Sequence, residues 1–335
     1  MLFSRLHHTL NDPKRLQSLD FIRGVVTISV FLTHFGISEF YNVEVDTFFI
    51  LSGFLATRSL CYESENVNRR YMIRRAVRIF PSYYFFLVAA FLIGYFFLRD
   101  VYGDALPKLS EWKEYVFFYR NYAGPPNRWA FEYVWSLCVE EHFYILILFV
   151  SLSVGSRVPF RRRVEWFAYA LLVGSVGLKV QAIITLFAEY PTFTHNRLDN
   201  FAYGILIFLY QDRLRDSGLW RNLPLFILCF LGLGVTISLT NPENVLILRI
   251  LSPLFLSGMM IFLMGFRFYS RWIRVVAFYS YNTYLWHFFL VIPIQYYFPN
   301  FWVGFTVYTL LTACCAFLTT HFVEGYFSRK LRPRV

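Results

Sequence analysis

The residues best suited to chemistry start with Arg23 and His34, eleven positions apart in the apolar stretch from Leu19 to Gly36. Eleven helical steps come to about 1100°, roughly 20° beyond three full turns, so both side chains share one face about 16 Å apart along the axis. An ionisable group inside a membrane helix is costly and faces a cavity or a partner. The spacing predicts one cavity, with an arginine near one membrane face and a histidine deep inside. The plainer alternative is a satisfied buried histidine beside an arginine that snorkels to the interface.

Three further groups of residues could join them. In the second apolar stretch, Glu44 to Phe54, Asp46 lies at a depth similar to His34. It is positioned either to orient the imidazole or an acceptor hydroxyl, or to act as an interfacial cap. Gly53 in the same stretch reads as a helix-packing position. Arg70, Arg74 and Arg78 recur every four residues and so line one helical face, with Arg75 beside them and Pro81 marking a kink or a helix start. Arginine forks suit phosphate oxygens, although the same cluster serves equally as an anchor at lipid head groups. Glu140 and Glu141 sit with His142 in the apolar stretch from Val134 to Tyr144. Counted from the ends of their helices, Glu140 and His34 reach depths that overlap within a few Å in a core about 30 Å thick. A carboxylate at that depth can fix the tautomer of a histidine and stabilise its imidazolium. The structural alternative is an ion pair of Glu140 or Glu141 with Lys179 or Arg197. Trp286 and His287, in the stretch Tyr279 to His287, read as core residues at least as readily as site residues. His195 and His321 read as incidental.

These residues need a membrane scaffold to position them. The 335 residues are 57% hydrophobic and 21% aromatic, with 40 Phe, 24 Tyr and a mean hydropathy of +0.46, which excludes an ordinary soluble domain. The fold class is an all-α polytopic membrane protein with about ten transmembrane helices. The spans are predicted near 19–38, 44–60, 80–98, 131–153, 164–187, 197–210, 222–240, 246–266, 273–297 and 301–322, of which 197–210 is the shortest. With the N-terminus inside, 23 of the 32 lysines and arginines fall in inside segments and 7 in outside ones. That bias predicts that both termini are cytoplasmic. The net charge of +11 is thereby assigned to topology, and nucleic acid is excluded as a partner. The long outside loop, roughly 99–130, is expected to form a re-entrant or surface element. The five cysteines lack metal-ligand spacing and read as small apolar fillers, so no metal site is predicted. The domain reading is a tail at 1–18, a transmembrane domain at 19–322 and a basic tail at 323–335, with no catalytic domain appended.

Taken together and in order, LDFIRG-x9-H, VDTFFILSGF, RRAVRIFP, VWSLCVEEHFY, NRLDNFAYG and YSYNTYLWH resemble the acyltransferase-3 family of integral membrane acyltransferases over nearly the whole chain. Members transfer acyl groups, often acetyl, from acyl-coenzyme A to hydroxyls of cell-surface polysaccharides, lipopolysaccharide, peptidoglycan or small molecules. The resemblance implies that His34 is the catalytic base with Arg23 as its motif partner. It makes Glu140 the first glutamate of the VEE motif, and it puts Arg74, Arg75 and Arg78 in the arginine motif proposed to hold the coenzyme. This chain departs from the family pattern at Cys138, where serine is usual, and at Glu44, often glycine.

The resulting expectation is an inner-membrane, multi-pass O-acyltransferase without a tightly bound cofactor. Acyl-coenzyme A, in the first instance acetyl-coenzyme A, is its co-substrate, and a carbohydrate or glycolipid hydroxyl is its acceptor. His34, oriented by Glu140 or Asp46, takes the hydroxyl proton. Direct transfer and an acyl-histidine intermediate both fit these residues. Ser136, Tyr144 and Trp286 are the candidate donors toward the oxyanion and substrate. The rival reading is a transporter or flippase of a lipid-linked or acylated substrate, against which stands the lack of an evident internal repeat.

Overall fold

The computed structural model describes residues 16–37, 43–62, 67–123, 129–152, 158–185, 192–241, 244–266 and 270–331. The tail before Leu16, Arg128, Arg157, Arg267, Arg332 and Arg334 lie outside the described residues, as do the side chains of Arg69 and Arg70. The described residues form helices and short helical turns: α1 (Gln17–His34), α2 (Val43–Tyr62), α3 (Val67–Phe97), α4 (Trp135–Leu152), α5 (Phe160–Thr185), α6 (Leu198–Asp216), α7 (Leu223–Ser238), α8 (Val245–Leu263), α9 (Arg271–Tyr297), α10 (Phe301–Leu318) and α11 (Gly325–Leu331). A π-helical stretch, Thr319–Glu324, joins α10 to α11.

Each predicted span coincides with a helix. Six are long and apolar enough to cross a membrane: Tyr71–Phe97, Ala130–Leu152, Phe160–Thr185, Val245–Leu263, Arg271–Tyr297 and Phe301–Leu331. Helix α7 is apolar but only 16 residues long. The other three, α1, α2 and α6, carry buried carboxylates, Asp20 on α1, Glu44 and Asp46 on α2, and Asp199 on α6. The stretch predicted at 197–210 runs on to Asp216 and buries Asp199, Asn200 and Phe201 completely. On the outer helices, Phe97, Val173, Ile184, Leu228 and Trp302 are exposed, as lipid-facing side chains are.

Close backbone contact sets how the inner helices meet. A Cβ on Gly53 would lie 2.2 Å from the Phe201 carbonyl oxygen, and one on Gly204 would lie 2.0 Å from that of Ile50. Helices α2 and α6 therefore touch at a reciprocal glycine contact, as predicted for Gly53. A Cβ on Gly24 would lie 2.6 Å from the Ile273 carbonyl oxygen, so α1 lies equally close to α9. The ion pair of Asp20 with Arg274, 3.7 Å, ties the same ends of these two helices.

Three prolines interrupt helical hydrogen bonding, and two of the freed carbonyls have new donors. Pro253 in α8 frees the carbonyl of Arg249, which accepts from Lys179 Nζ at 2.8 Å. Pro293 in α9 frees the carbonyl of Phe289, which accepts from the Tyr102 hydroxyl. Burial pushes the Tyr102 phenol up, which keeps it a donor. Pro81 lies inside α3, which runs unbroken from the arginine cluster into the apolar span.

Residues 99–123 are a chain of short helical turns packed onto the bundle. Tyr115 is fully buried, its carbonyl accepts from the Tyr83 hydroxyl at 2.8 Å, and the Phe118 ring stacks on Tyr83.

Candidate active site

A cavity of about 590 Å³ opens between α1, α2, α3, α4 and α9. Five arginines line it, Arg23, Arg58, Arg74, Arg75 and Arg78, against two carboxylates, Asp20 and Glu140. The helical register that placed Arg74 and Arg78 on one face of α3, with Arg75 beside it, brings all three to this cavity. Tyr71, Phe48, Phe49, Tyr281 and Tyr284 supply an aromatic wall. Such a space suits a ligand with anionic and apolar parts.

Glu140 is bound within this cavity and not to His34. Its Oε1 accepts from Ser52 Oγ at 2.5 Å, and its Oε2 lies 3.7 Å from Arg75 Nη2. The Arg75 guanidinium in turn lies over the Tyr144 ring, its carbon 3.0 Å from the ring centre. The Tyr144 hydroxyl points back to Glu140 Oε1 at 3.5 Å. Tyr144 thus supports Arg75 from below and is absent from the cavity wall. Depth along the helices matched Glu140 to His34, but α4 faces α2 and α3 here, and depth carries no information about which neighbour a face meets.

Ser136 reaches the cavity. Its Oγ bonds the Tyr133 carbonyl at 3.0 Å and the Tyr284 hydroxyl at 2.6 Å. Beside it lies a small void of about 10 Å³, lined by Phe48, Ser280 and Tyr284, which also line the large cavity, and by His287. Thr27 and Val30 of α1 form one side of this void. Arg23, Thr27, Val30 and His34 follow one another on a single stripe of α1, at the helical spacing that joins a face. One helix thereby runs from the arginine-lined cavity, past the void, to His34, which lines neither space, so the single cavity expected for Arg23 and His34 is not what α1 borders.

His34 is half-buried at the far end, where its partner is another histidine. His34 Nδ1 lies 3.1 Å from His287 Nε2 and 3.0 Å from the Val30 carbonyl oxygen. His287, 1% exposed, has Nδ1 2.7 Å from the Tyr284 carbonyl oxygen. The Phe288 ring meets His34 edge-on at 4.8 Å.

Asp46 is drawn elsewhere. It is fully buried between Arg197 (2.5 Å) and Arg249 (3.2 Å), and accepts from Ser252 Oγ at 2.8 Å. Beside it Lys179 pairs with Asp199 at 2.7 Å. This cluster fastens α2, α5, α6 and α8 together, so the structure gives Asp46 neither His34 nor a hydroxyl in the cavity to orient. It also supplies different partners for Lys179 and Arg197 from the glutamates of α4. Trp286 faces the core, its Nε1 donating to Thr319 Oγ1 at 2.9 Å in the π-helical stretch. The sequence does not single out Ser52 or Tyr284 as site residues, and His287 reads there as a core residue at least as readily as a site residue. The last two lie three apart in the stretch Tyr279 to His287, whose density of polar groups in an apolar helix was the available signal.

The acyltransferase domain family matches residues 16–321. Among curated proteins, the peptidoglycan O-acetyltransferase OatA of Listeria monocytogenes is 29% identical over 153 residues, covering 41% of this chain and 24% of that protein. The putative peptidoglycan O-acetyltransferase YrhL of Bacillus subtilis is 28% identical over 156 residues, 42% of this chain and 24% of that protein. The O-acetyltransferase OatA of Staphylococcus aureus is 24% identical over an alignment covering 98% of this chain and 59% of that protein. The chain thus spans well under two thirds of the length of these relatives. No solved structure matches. A match that takes in α1 with its arginine and histidine, the arginine face of α3, Glu140 and the whole helical bundle leaves one conclusion: this multi-pass membrane protein belongs to the acyltransferase-3 family.

Proposed function

We propose that the protein is an O-acyltransferase of the inner, plasma membrane that moves an acyl group, acetyl in the first instance, from acyl-coenzyme A to a hydroxyl of a cell-wall carbohydrate or its lipid-linked precursor. The observation that supports this reading is the arginine-lined cavity bordered by α1, the helix that also carries His34 eleven residues after Arg23. Arg23, Arg74, Arg75 and Arg78 bind the phosphates of the donor, with Glu140 anchoring Arg75. The void beside Thr27 and Val30 has room for about one water molecule, so in this reading it widens when the pantetheine arm brings the thioester toward His34. His34 takes the proton of the acceptor hydroxyl as its oxygen attacks the thioester carbonyl. The new C–O bond forms, the C–S bond breaks, and His34 returns the proton to the leaving thiolate. Both termini are cytoplasmic in this reading, which puts the arginines where coenzyme A is available and His34 toward the opposite face. The peptidoglycan named for two of the relatives makes a cell-wall sugar the first acceptor to try.

The test uses purified full-length protein and radiolabelled acetyl-coenzyme A, with muropeptides as acceptor. Label is expected to leave the thioester in the wild type and to remain on it with His34→Ala and Arg75→Ala at equal folded yield. Loss of label at the same rate in all three proteins refutes the reading.

A further inference from the structure

His34 and His287, in contact across α1 and α9, have only one arrangement of protons that satisfies their neighbours. The Tyr284 carbonyl can only accept, so the hydrogen on His287 is on Nδ1, 2.7 Å away. In a neutral imidazole Nε2 is then an acceptor. It faces His34 Nδ1 at 3.1 Å. His34 Nδ1 also faces the Val30 carbonyl oxygen at 3.0 Å, and carries a hydrogen for the same reason. The opposite assignment sets a nitrogen lone pair of each ring against a carbonyl oxygen. A doubly protonated His287 places a charge at a site 1% exposed, with no carboxylate bonded to it among the described residues. The hydrogen-bond network therefore gives His34 a protonated Nδ1 and leaves the lone pair on Nε2.

We infer that His287 is a positioning residue for His34, holding its ring through the Nδ1–H bond so that Nε2 is the atom that takes up the acceptor proton. The chain of contacts runs from the Tyr284 carbonyl through His287 to His34, and its last member meets substrate. Gly24 makes the arrangement feasible, because its contact with Ile273 brings α1 close to α9 one end before the two rings meet. When Nε2 is protonated, Nδ1–H keeps both of its acceptors, so the ring does not turn during turnover. This inference rests on the reading of His34 as the base. Its spectroscopic part, however, stands without any turnover.

The experiment labels the full chain with 15N-histidine and reads tautomers by NMR in lipid or detergent, with His34→Asn to assign the signals. The wild type is expected to show His34 protonated at Nδ1 and bare at Nε2, with a nitrogen–nitrogen coupling to His287 Nε2. A His34 proton on Nε2, or a bare Nδ1, overturns the inference. Kinetics supply the second arm. His287→Phe keeps a ring and removes the acceptor, and is expected to lower kcat about 100-fold with KM for acetyl-coenzyme A nearly unchanged. His287→Gln restores an oxygen acceptor and is expected to recover about tenfold of that loss. Full activity in the Phe variant, or equal loss in both, contradicts the role. A wild type that turns over no acetyl-coenzyme A refutes the proposed activity, and the tautomer then decides the positioning role alone.

Discussion

Two carboxylates that look alike in the sequence do different work in the structure, and each makes a separable prediction. Glu140 pairs with Arg75 at the cavity, both side chains being partly exposed at 18% and 25%. Glu140→Gln keeps the bond from Ser52 and removes the charge that fixes the guanidinium. Steady-state kinetics are expected to show KM for acetyl-coenzyme A raised about tenfold, the loss of one charge-assisted contact, with kcat within about threefold. A collapse of kcat at constant KM would instead make Glu140 the partner of His34. Asp46 lies between two fully buried guanidiniums. Asp46→Asn removes the negative charge they share, and breaking such a buried pair costs about 3–5 kcal/mol. Thermal unfolding in detergent is expected to show a large fall in midpoint and in folded yield, while activity per folded molecule changes little. The sequence could not separate these roles. Asp46 is claimed by Arg197, Arg249 and Ser252, between 151 and 206 residues away along the chain, and no periodicity within α2 reports on them.

At the scale of elements, what periodicity encodes was readable and what lateral packing decides was not. The arginine face of α3 follows from 3.6 residues per turn and reaches the cavity as predicted, and so does Arg23 of α1, whereas His34, on the same stripe, lines neither that cavity nor the small void beside it. Each of the ten predicted apolar stretches coincides with a helix among the described residues, and Gly53 is a packing position. Which helix lies beside which depends on contacts such as Gly53 with Phe201 and Gly24 with Ile273, each joining segments far apart in sequence. Hence His287 was weighed as a core residue, and α1 lies against α9 where a glutamate of α4 was expected. The glycine contacts are testable. Gly204→Ala puts a Cβ 2.0 Å from the Ile50 carbonyl oxygen and forces α2 and α6 apart, with a cost of about 1–3 kcal/mol typical of overpacking. Alanine at Gly174 or Gly177, where a Cβ meets nothing within 4 Å, is expected to leave stability unchanged or slightly raised. Melting curves of the three variants check this order, and equal midpoints would contradict it.

For the whole molecule, the proposal divides the protein into a donor side and an acceptor side joined by one helix. Arg78 is exposed at the mouth of the cavity, and Asn300 is exposed where α10 begins. In inside-out and right-side-out vesicles, with Cys314, the exposed native cysteine, replaced, a membrane-impermeant thiol reagent is expected to label Arg78→Cys from the cytoplasmic side and Asn300→Cys from the opposite side. Labelling of both from one side would break the division. The central claim, however, is that donor binding and proton transfer reside at opposite ends of the α1 stripe. The most direct test measures acetyl-coenzyme A affinity and single-turnover rate on the same preparations of wild type, His34→Ala and Arg75→Ala. The account predicts that His34→Ala binds the donor as the wild type does and fails to turn it over, whereas Arg75→Ala binds it at least tenfold more weakly. Donor binding lost with His34→Ala and kept with Arg75→Ala would contradict it.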